Sequence, residues 1–152
     1  MFVIDQVLNT DISKHFSLLT ELKTKLGNDF PTKDLMEDRM LILSVTLRVA
    51  SSFKVVRDRP VFLKWMDYTF EEYHKQGQIE KDLELPLSKF MDKDNTNREK
   101  AYLSYISVVC RPLFVTYLIL MDDPEVNTII LKDGIDRNKK QLETRIDESS
   151  AK

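Results

Sequence analysis

Cysteine, histidine and glycine are all scarce in this chain of 152 residues. Cys110 is the only cysteine, so no disulfide can form within the chain. A chain without disulfides is typical of reducing compartments, and we therefore expect a cytoplasmic location. Only three glycines occur, and no Asn-Gly or Asp-Gly pair separates two alternating segments. This scarcity of strand-turn signals favours an all-α fold.

An excess of one charge is also absent. The chain has 23 Lys and Arg and 25 Asp and Glu, a net charge of −2, and the two signs are mixed along it. Because nucleic acids select clustered basic side chains, we expect no nucleic-acid partner. The longest apolar segment, residues 105–121, contains Arg111 and Pro112 near its centre. This composition predicts a buried core helix and no membrane span. Asp5 and Asp11 also interrupt the N-terminal apolar run, which argues against a signal peptide.

Apolar residues repeat every three or four positions in the first 26 residues, as they do on one face of a helix. These residues are Ile4, Val7, Leu8, Ile12, Phe16, Leu19, Leu22 and Leu26. Gly27 and Asn28 are suitable residues for the end of this helix, and a loop that contains Pro31 should follow.

Residues 36–51 have an ambiguous pattern. Apolar side chains alternate at Leu41, Leu43, Val45, Leu47 and Val49. Alternation is typical of a strand, but a helix that is buried on most sides gives the same pattern. Composition alone favours a strand here.

A further helix is predicted to open at Pro60, because proline is preorganised for the first helical turn. Its apolar stripe is Phe62, Trp65, Met66, Phe70 and Tyr73. Gly77 lies near the predicted end, and residues 78–94 look mostly irregular, with room for one short helix.

Two more helices follow in the last third of the chain. Asn95 or Thr96 is a suitable cap for the first of them, which Pro112 should kink or interrupt. The last helix has the clearest start, since Asp122 or Asp123 can cap it and the next residue is proline.

Three parts of the chain carry motifs in a fixed order. Residues 10–15 read T-D-I-S-K-H, and residues 65–80 contain a tryptophan, E-E-Y-H-K-Q-G and a final glutamate. Residues 85–93 read L-P-L-S-K-F-M-D-K, and residues 111–114 read R-P-L-F. Each motif alone is weakly specific. Together, in this order and spacing, they resemble the C-terminal half of the catalytic domain of 3′,5′-cyclic-nucleotide phosphodiesterases, over roughly residues 3–145.

The resemblance implies an all-helical domain, and it therefore favours a helix over residues 36–51. We expect a helical bundle in residues 1–146 that corresponds to part of a phosphodiesterase catalytic domain. We expect a frayed polar tail in residues 147–152.

The resemblance also implies a centre in which two divalent metals, such as zinc and magnesium, share a bridging water. In the family a histidine protonates the leaving 3′-oxygen, and histidines and aspartates bind the metals. The H-N-x-x-H and H-D-x-x-H motifs are absent, because His15 and His74 are the only histidines. The remaining family aspartate, counted back from Trp65, corresponds to Ser51. We therefore expect no cofactor in this chain and no hydrolysis by this chain alone.

The resemblance implies an altered base pocket as well. The family glutamine that orients the purine corresponds to Tyr102, and the aromatic residue that stacks on the base corresponds to Tyr105. Tyrosine keeps an aromatic surface but lacks the paired donor and acceptor of an amide. We expect a degenerate nucleotide pocket that contains Asp11, Ile12, His15, Ser51, Phe90, Tyr102 and Tyr105. The change at Tyr102 leaves the preference for cyclic AMP or cyclic GMP open.

Two interpretations stay open for several of these residues. His15 corresponds to a family histidine near the metals, but it also fits a hydrogen-bonded histidine of a helix. Asp11 is either a contact to bound water or an exposed or locally paired carboxylate. Cys110 has no base near it in sequence, so we expect a buried apolar side chain and not a nucleophile. Trp65 is expected in the core, and Asp92 in a local cap or ion pair.

Three functional hypotheses follow. The first is a degenerate phosphodiesterase-like domain that acts by binding or regulation, with a cyclic nucleotide as a weak ligand. Its protein partner would be a second copy, an intact relative or another helical protein, because apolar faces without a neighbour favour association. The second is part of an enzyme whose coding sequence continues upstream with the histidine motifs. The third is an unrelated helical interaction module.

Overall fold

The computed structural model describes residues 2–26 and 36–150. Every regular element in these two ranges is helical, which confirms the all-α prediction. The α-helices are α1 (Phe2–Leu8), α2 (His15–Leu26), α3 (Met36–Ser52), α4 (Arg59–Asp82), α5 (Arg98–Tyr105), α6 (Arg111–Met121), α7 (Pro124–Asn127) and α8 (Arg137–Ser150). Two 3₁₀ turns (Ile12–Lys14 and Phe53–Val55) and two π-helical segments (Ile106–Cys110 and Thr128–Asp136) lie between them. The predicted helix end at Gly27 and Asn28 and the loop around Pro31 lie outside the described residues.

The N-terminal helix is interrupted, so the prediction of one continuous helix is wrong. α1 ends at Leu8, and the Asp11 carboxylate accepts a hydrogen bond from the backbone N–H of Ser13 (2.8 Å). This cap starts the 3₁₀ turn that leads into α2. Leu19 and Leu22 in α2 are buried, whereas Val3, Ile4, Val7 and Leu8 in α1 are exposed. The apolar residues keep their spacing of three and four across the Asp11 cap, so this spacing did not reveal that the helix is interrupted there.

Helix α3 occupies the ambiguous segment, which confirms the helix that the family resemblance implied. Leu41, Val45 and Val49 lie one turn apart and are buried in the core. Leu43 and Leu47 lie on another face and are 45% and 38% exposed. The alternation that resembled a strand thus comes from a helix with apolar residues on two faces.

Helix α4 has Pro60 in its first turn, as predicted, but it does not end near Gly77. It continues to Asp82 and so includes the start of the segment that was expected to be irregular. A side-chain carbon built at Gly77 would lie 2.0 Å from the backbone oxygen of Met91. Glycine is needed at this point because the loop of residues 83–97 crosses the helix there.

A second long helical unit runs from Arg98 to Met121 through α5, a π-helical segment and α6. Its cap is Asn97, whose side chain accepts a hydrogen bond from the N–H of Lys100 (2.8 Å), so the predicted cap at Asn95 or Thr96 is one or two residues early.

Pro112 perturbs this unit without ending it. The π-helical segment Ile106–Cys110 comes just before it, and the proline lies in the first turn of α6. Proline has no N–H to donate, and local π-helical turns accommodate such irregular hydrogen bonding. Among the residues that the structure describes, this is the one helical unit long and apolar enough to cross a membrane. Core helices meet the same test, and Leu113 and Phe114 of this unit are fully buried in the core.

The last helical unit begins as the sequence predicts. Asp123 accepts hydrogen bonds from two backbone N–H groups of α7 (2.9 and 3.2 Å), and Pro124 occupies the first turn. Ile135 and Leu142 are fully buried. α8 continues to Ser150, beyond the point where the polar composition predicted fraying.

One apolar core joins the helices. Its members include Leu22, Val45, Phe62, Phe70, Ile106, Phe114, Ile135 and Leu142. Asn138 of α8 is fully buried, and its amide nitrogen donates to the carbonyls of Val55 (2.9 Å) and Arg57 (2.7 Å). These bonds position the turn after α3, which also carries Lys54.

Predictions for three single residues have different outcomes. Cys110 is fully buried, and Asp92 pairs locally with Lys81 (2.9 Å), as expected. Trp65 is 47% exposed, so its assignment to the core is wrong. Its ring lies against the ammonium group of Lys54, 5.9 Å from the ring centroid, and this contact covers part of the indole.

Candidate functional site

A cavity of ≈ 580 Å³ lies between the N-terminal turn, α3, α4, the loop of residues 83–97 and α5. Its wall is formed by Thr10, Ile12, Phe16, Arg48, Ser51, Ser52, Lys54, Thr69, Phe70, Tyr73, Lys89, Phe90, Ala101, Tyr102, Ser104, Tyr105, Val108 and Val109. A smaller recess of ≈ 370 Å³ shares Lys89 and Phe90 with it and adds Lys100. The larger space is of a size that small-molecule ligands occupy.

Five residues of the predicted nucleotide pocket come together in this wall. They are Ile12, Ser51, Phe90, Tyr102 and Tyr105, from four separate parts of the chain. Phe90 has a backbone φ of 70°, a left-handed conformation that is rare for an aromatic residue. Because such strain persists only where the surroundings impose it, the loop is held in place at the edge of the cavity.

Asp11 lies beside the cavity and not in its wall. Its carboxylate faces the backbone N–H and hydroxyl of Ser13, and these hydrogen bonds lower the pKa of the carboxyl group. Its backbone carbonyl accepts a hydrogen bond from the guanidinium of Arg48. Asp11 therefore acts as a local cap, the plainer of the two interpretations of the sequence.

His15 also lies behind the wall, where it is fully buried. Neither ring nitrogen has a well-formed hydrogen bond to any described residue, so the hydrogen-bonded interpretation is not borne out. Burial lowers the pKa of the imidazole, the charge of Arg48 lowers it further, and the backbone of Val109 opposes both effects. The edge of the ring meets Phe16, with the ring centroids 4.9 Å apart. His15 is therefore a buried packing residue whose pKa is lowered beside a buried cation.

One side of the cavity is aromatic. The ring of Tyr102 lies 5.6 Å from Phe62, 6.3 Å from Phe70 and 5.8 Å from Tyr105, measured between centroids. Tyr102 is only 3% exposed, and burial raises the pKa values of both tyrosine hydroxyls. Tyr105 is partly exposed, so it presents the larger accessible aromatic surface for stacking.

Three cationic side chains also line the cavity. Arg48 is 5% exposed, and Lys54 and Lys89 stand at the edge. The ammonium of Lys89 lies 4.9 Å from the ring centroid of Phe90. None of the described residues in the wall is an aspartate or glutamate. The wall therefore carries three positive charges that no acidic wall residue balances.

This wall does not fit a pair of divalent metals. Such ions need imidazole and carboxylate ligands, and three cations would repel them. The hydroxyl of Ser51 donates to the backbone carbonyl of Arg48 (2.8 Å), and it is neutral. Within residues 2–26 and 36–150, no group of three or more His, Cys, Asp or Glu side chains is arranged to hold a metal ion.

The interpretation of the sequence overlooked the cationic side. Arg48 interrupts the apolar alternation of residues 41–49, and a charged residue at a core position is a recognisable signal. Lys54 and Lys89 could not be identified in the same way. In the sequence they look like ordinary surface lysines. Only the fold shows that the two turns that carry them lie at one cavity.

Comparison with known proteins agrees with the resemblance. The family model described as 3′5′-cyclic nucleotide phosphodiesterase matches residues 1–132, a range that contains every residue of the cavity wall. The chain thus belongs to the 3′,5′-cyclic nucleotide phosphodiesterase family.

Curated relatives from animals support this assignment. A probable 3′,5′-cyclic-AMP phosphodiesterase, pde-4, of Caenorhabditis elegans is 32% identical over 96% of this chain and 22% of its own length. 3′,5′-cyclic-AMP phosphodiesterase 4C of Mus musculus is 29% identical over 95% of this chain and 21% of its own length. Isoform F of a Drosophila melanogaster 3′,5′-cyclic-AMP phosphodiesterase is 29% identical over 95% and 22%. The chain therefore spans about a fifth of the length of these relatives.

Proposed function

We propose that these 152 residues bind a cyclic nucleotide without hydrolysing it. The observation that carries the proposal is the cationic wall of Arg48, Lys54 and Lys89, which lies on the same cavity as Ser51. In the family a carboxylate at this point binds metal, whereas here a neutral hydroxyl and three cations surround the space. Such a wall suits an anionic ligand and repels the metals on which hydrolysis depends.

The aromatic residues of the wall support the same ligand. Tyr105 offers an aromatic surface on which a purine can stack, and stacking of this kind tolerates different bases. The names of the relatives specify cyclic AMP as their substrate, and we extend the ligand class, but not the reaction, to this chain. Tyr102 cannot replace the amide that orients the base, so we expect weak discrimination between cyclic AMP and cyclic GMP.

Calorimetric titration of the 152-residue protein with cyclic AMP, together with a hydrolysis assay in Mg²⁺, Mn²⁺ or Zn²⁺, tests this function. We expect binding and no nucleoside monophosphate product. Tyr105→Ala should weaken binding about tenfold, because it removes the stacking surface. Tyr68→Ala is the matched control, since Tyr68 is a 49% exposed tyrosine outside the cavity. Metal-dependent turnover by the wild-type protein would contradict the proposal.

We propose self-association as a second function, based on a different surface. Val3, Ile4, Val7 and Leu8 of α1 are 56–69% exposed, which is a large apolar surface for a seven-residue helix. Covering this surface with the same surface of a second copy would remove it from water. An intact relative or another helical protein is the alternative occupant.

Sedimentation velocity at rising protein concentration tests this association. We expect a dimer that Val7→Lys converts into a monomer. Ile79→Lys places the same charge at another exposed apolar position (52% exposed) and should leave the dimer intact. A wild-type monomer at every concentration would rule out the second copy.

The cellular location stays a proposal as well. We propose the cytoplasm, because the one cysteine is buried and unpaired and the cyclic nucleotides of the relatives' names are small soluble ligands. Fractionation of source cells would test it, and recovery of the protein in a membrane or secreted fraction would contradict it.

A further inference from the structure

The most unusual group in the described molecule is a buried arginine without an acidic partner. Arg48 is 5% exposed, and no aspartate or glutamate among the described residues forms an ion pair with it. One terminal nitrogen donates to the backbone carbonyls of Asn9 (3.3 Å) and Asp11, and Nε has no partner there. Carbonyl groups satisfy hydrogen bonds but do not neutralise a charge.

Nearby groups show that this charge is not balanced elsewhere. The Asp11 carboxylate is engaged by Ser13, and it contributes only a secondary attraction to Arg48. Burial and the charge of Arg48 itself lower the pKa of His15, so His15 supplies no balancing charge. A buried guanidinium with so little compensation is costly unless another anion comes to it.

Two lysines add positive charge to the same cavity. Lys54 lies against Trp65 and Lys89 against Phe90, at 5.9 and 4.9 Å from the ring centroids. An aromatic face orients an ammonium group without cancelling its charge. Neither lysine has an ion-pair partner among the described residues, and both line the cavity with Arg48.

We infer that Arg48, Lys54 and Lys89 bind the phosphate group of the ligand directly, as a metal-independent anion site. The inference rests on the proposed function for the identity of the ligand as a nucleotide. It adds that protein cations stand where divalent metals would otherwise neutralise the phosphate. The phosphate charge in turn compensates Arg48, and the base lies towards Tyr105.

The test compares ligands and variants in buffer that contains EDTA. Cyclic AMP, adenosine and pyrophosphate are titrated calorimetrically into the wild-type protein. We expect cyclic AMP to bind equally well with and without EDTA, and adenosine to bind at least roughly tenfold more weakly because it lacks the charge. Raising the salt concentration should weaken the binding of cyclic AMP and leave the binding of adenosine nearly unchanged.

Variants identify the residues. Lys54→Met and Lys89→Met should each weaken the binding of cyclic AMP several-fold, roughly tenfold at most. Neither variant should change the affinity for adenosine. Lys64→Met is the matched control. The ammonium of Lys64 also lies over an aromatic ring, 5.6 Å from the centroid of Tyr68, but outside the cavity. Arg48→Met should abolish the preference for cyclic AMP over adenosine, and Arg48→Lys should retain part of it. If Arg48→Met fails to fold, the lysine variants decide the question.

The outcomes separate the two proposals. Equal binding of adenosine and cyclic AMP with no effect of the lysine variants overturns the anion site and leaves nucleotide binding intact. Cyclic AMP binding only in added Mg²⁺ also overturns the anion site. Pyrophosphate binding that Lys54→Met weakens, without nucleotide binding, supports the anion site and contradicts the proposed function. No binding of any of the three ligands contradicts both.

Discussion

Two buried charged residues are treated in opposite ways by this fold. Glu80 is 7% exposed, and its carboxylate accepts hydrogen bonds from Gln76 (3.1 Å) and from the backbone N–H and hydroxyl of Ser88 (2.7 and 2.8 Å). Arg48 is as deeply buried, but it meets only backbone carbonyls and an open cavity. Groups of the chain itself satisfy the Glu80 carboxylate. The region around Arg48, called the Arg48 corner below, lacks an anion to balance the guanidinium charge.

This difference separates groups that hold the fold from groups that are available to a ligand. The Glu80 cluster attaches the loop of residues 83–97 to α4, close to the point where Gly77 meets Met91. The Arg48 corner instead leaves several polar atoms without partners, among them the Tyr102 hydroxyl and both nitrogens of His15. Buried unsatisfied groups are costly, so the unpaired Nε of Arg48 in the cavity wall supports a binding role there.

The largest effect is expected where the loop meets α4. Gly77→Ala would place a carbon 2.0 Å from the backbone oxygen of Met91, and the loop must move away. We expect a loss of about 3 kcal/mol of unfolding free energy, although alanine is the better helix former. Urea denaturation measures it.

Lys75→Ala provides the control for Gly77→Ala. Lys75 is exposed in the middle of the same helix, so this variant should change stability by no more than about 0.5 kcal/mol. If Gly77→Ala is as stable as the wild type, the loop of residues 83–97 is not held against α4. The Glu80 region is then not the rigid part of the fold with which the surroundings of Arg48 are compared.

Acid should affect the two regions in different pH windows. The folded state holds the pKa of His15 below its usual 6.5, so the unfolded chain takes up the proton first and stability falls as the pH drops below about 6.5. Hydrogen bonds from Ser88, with a smaller contribution from Gln76, lower the pKa of Glu80 below its usual 4.5. The stability that Glu80 contributes is therefore complete above about pH 4.5 and declines only below it.

Thermal unfolding between about pH 7.5 and about pH 3.5, a range that spans both groups, measures the two windows. His15→Met should flatten the wild-type decline between about pH 6.5 and pH 5, while His74 remains in both proteins. Glu80→Gln should reduce the decline below about pH 4.5 and leave the upper window unchanged. Identical profiles for His15→Met and the wild type would show that His15 is not held neutral in the fold.

The smallest effect is expected at Tyr102. Its hydroxyl is buried without a well-formed hydrogen bond to a described residue, so Tyr102→Phe should not lower the unfolding free energy and should raise it by about 0.5 kcal/mol. Tyr117→Phe is the contrasting variant, because the hydroxyls of Tyr117 and Thr46 lie 3.2 Å apart. Its loss should cost about 1 kcal/mol. A large loss at Tyr102 would place its hydroxyl in a satisfied network and weaken the contrast between the two regions.

Local signals predicted most of the helices but not how they are joined. The cap at Asp123 and the proline of the first turn of α4 act over a few residues, and the sequence identified both. The break before α2 was missed, because the apolar spacing continues across the Asp11 cap. The extent of α4 was misjudged at Gly77, since that glycine serves a contact with a loop 14 residues further along and not a helix end.

The candidate site was predicted in part for the same reason. The family resemblance assigned seven pocket residues, and the fold brings five of them into one cavity wall. Asp11 and His15 are adjacent to the wall, where one is a cap and the other is packed behind Arg48. The cationic side was not predicted, because nothing local distinguishes Lys54 and Lys89 from other surface lysines.

The sequence by itself determined the helical fold class and the family, because periodicity, caps and motif order are local or linear properties. Only the tertiary structure decided where the unbalanced charge lies. Burial of Arg48 and its lack of an ion pair with any described residue depend on how α3 packs against the N-terminal turn. The contact of the loop of residues 83–97 with α4 decided in turn that the Glu80 carboxylate is hydrogen-bonded by its own chain, because these partners are separated in sequence and close in space.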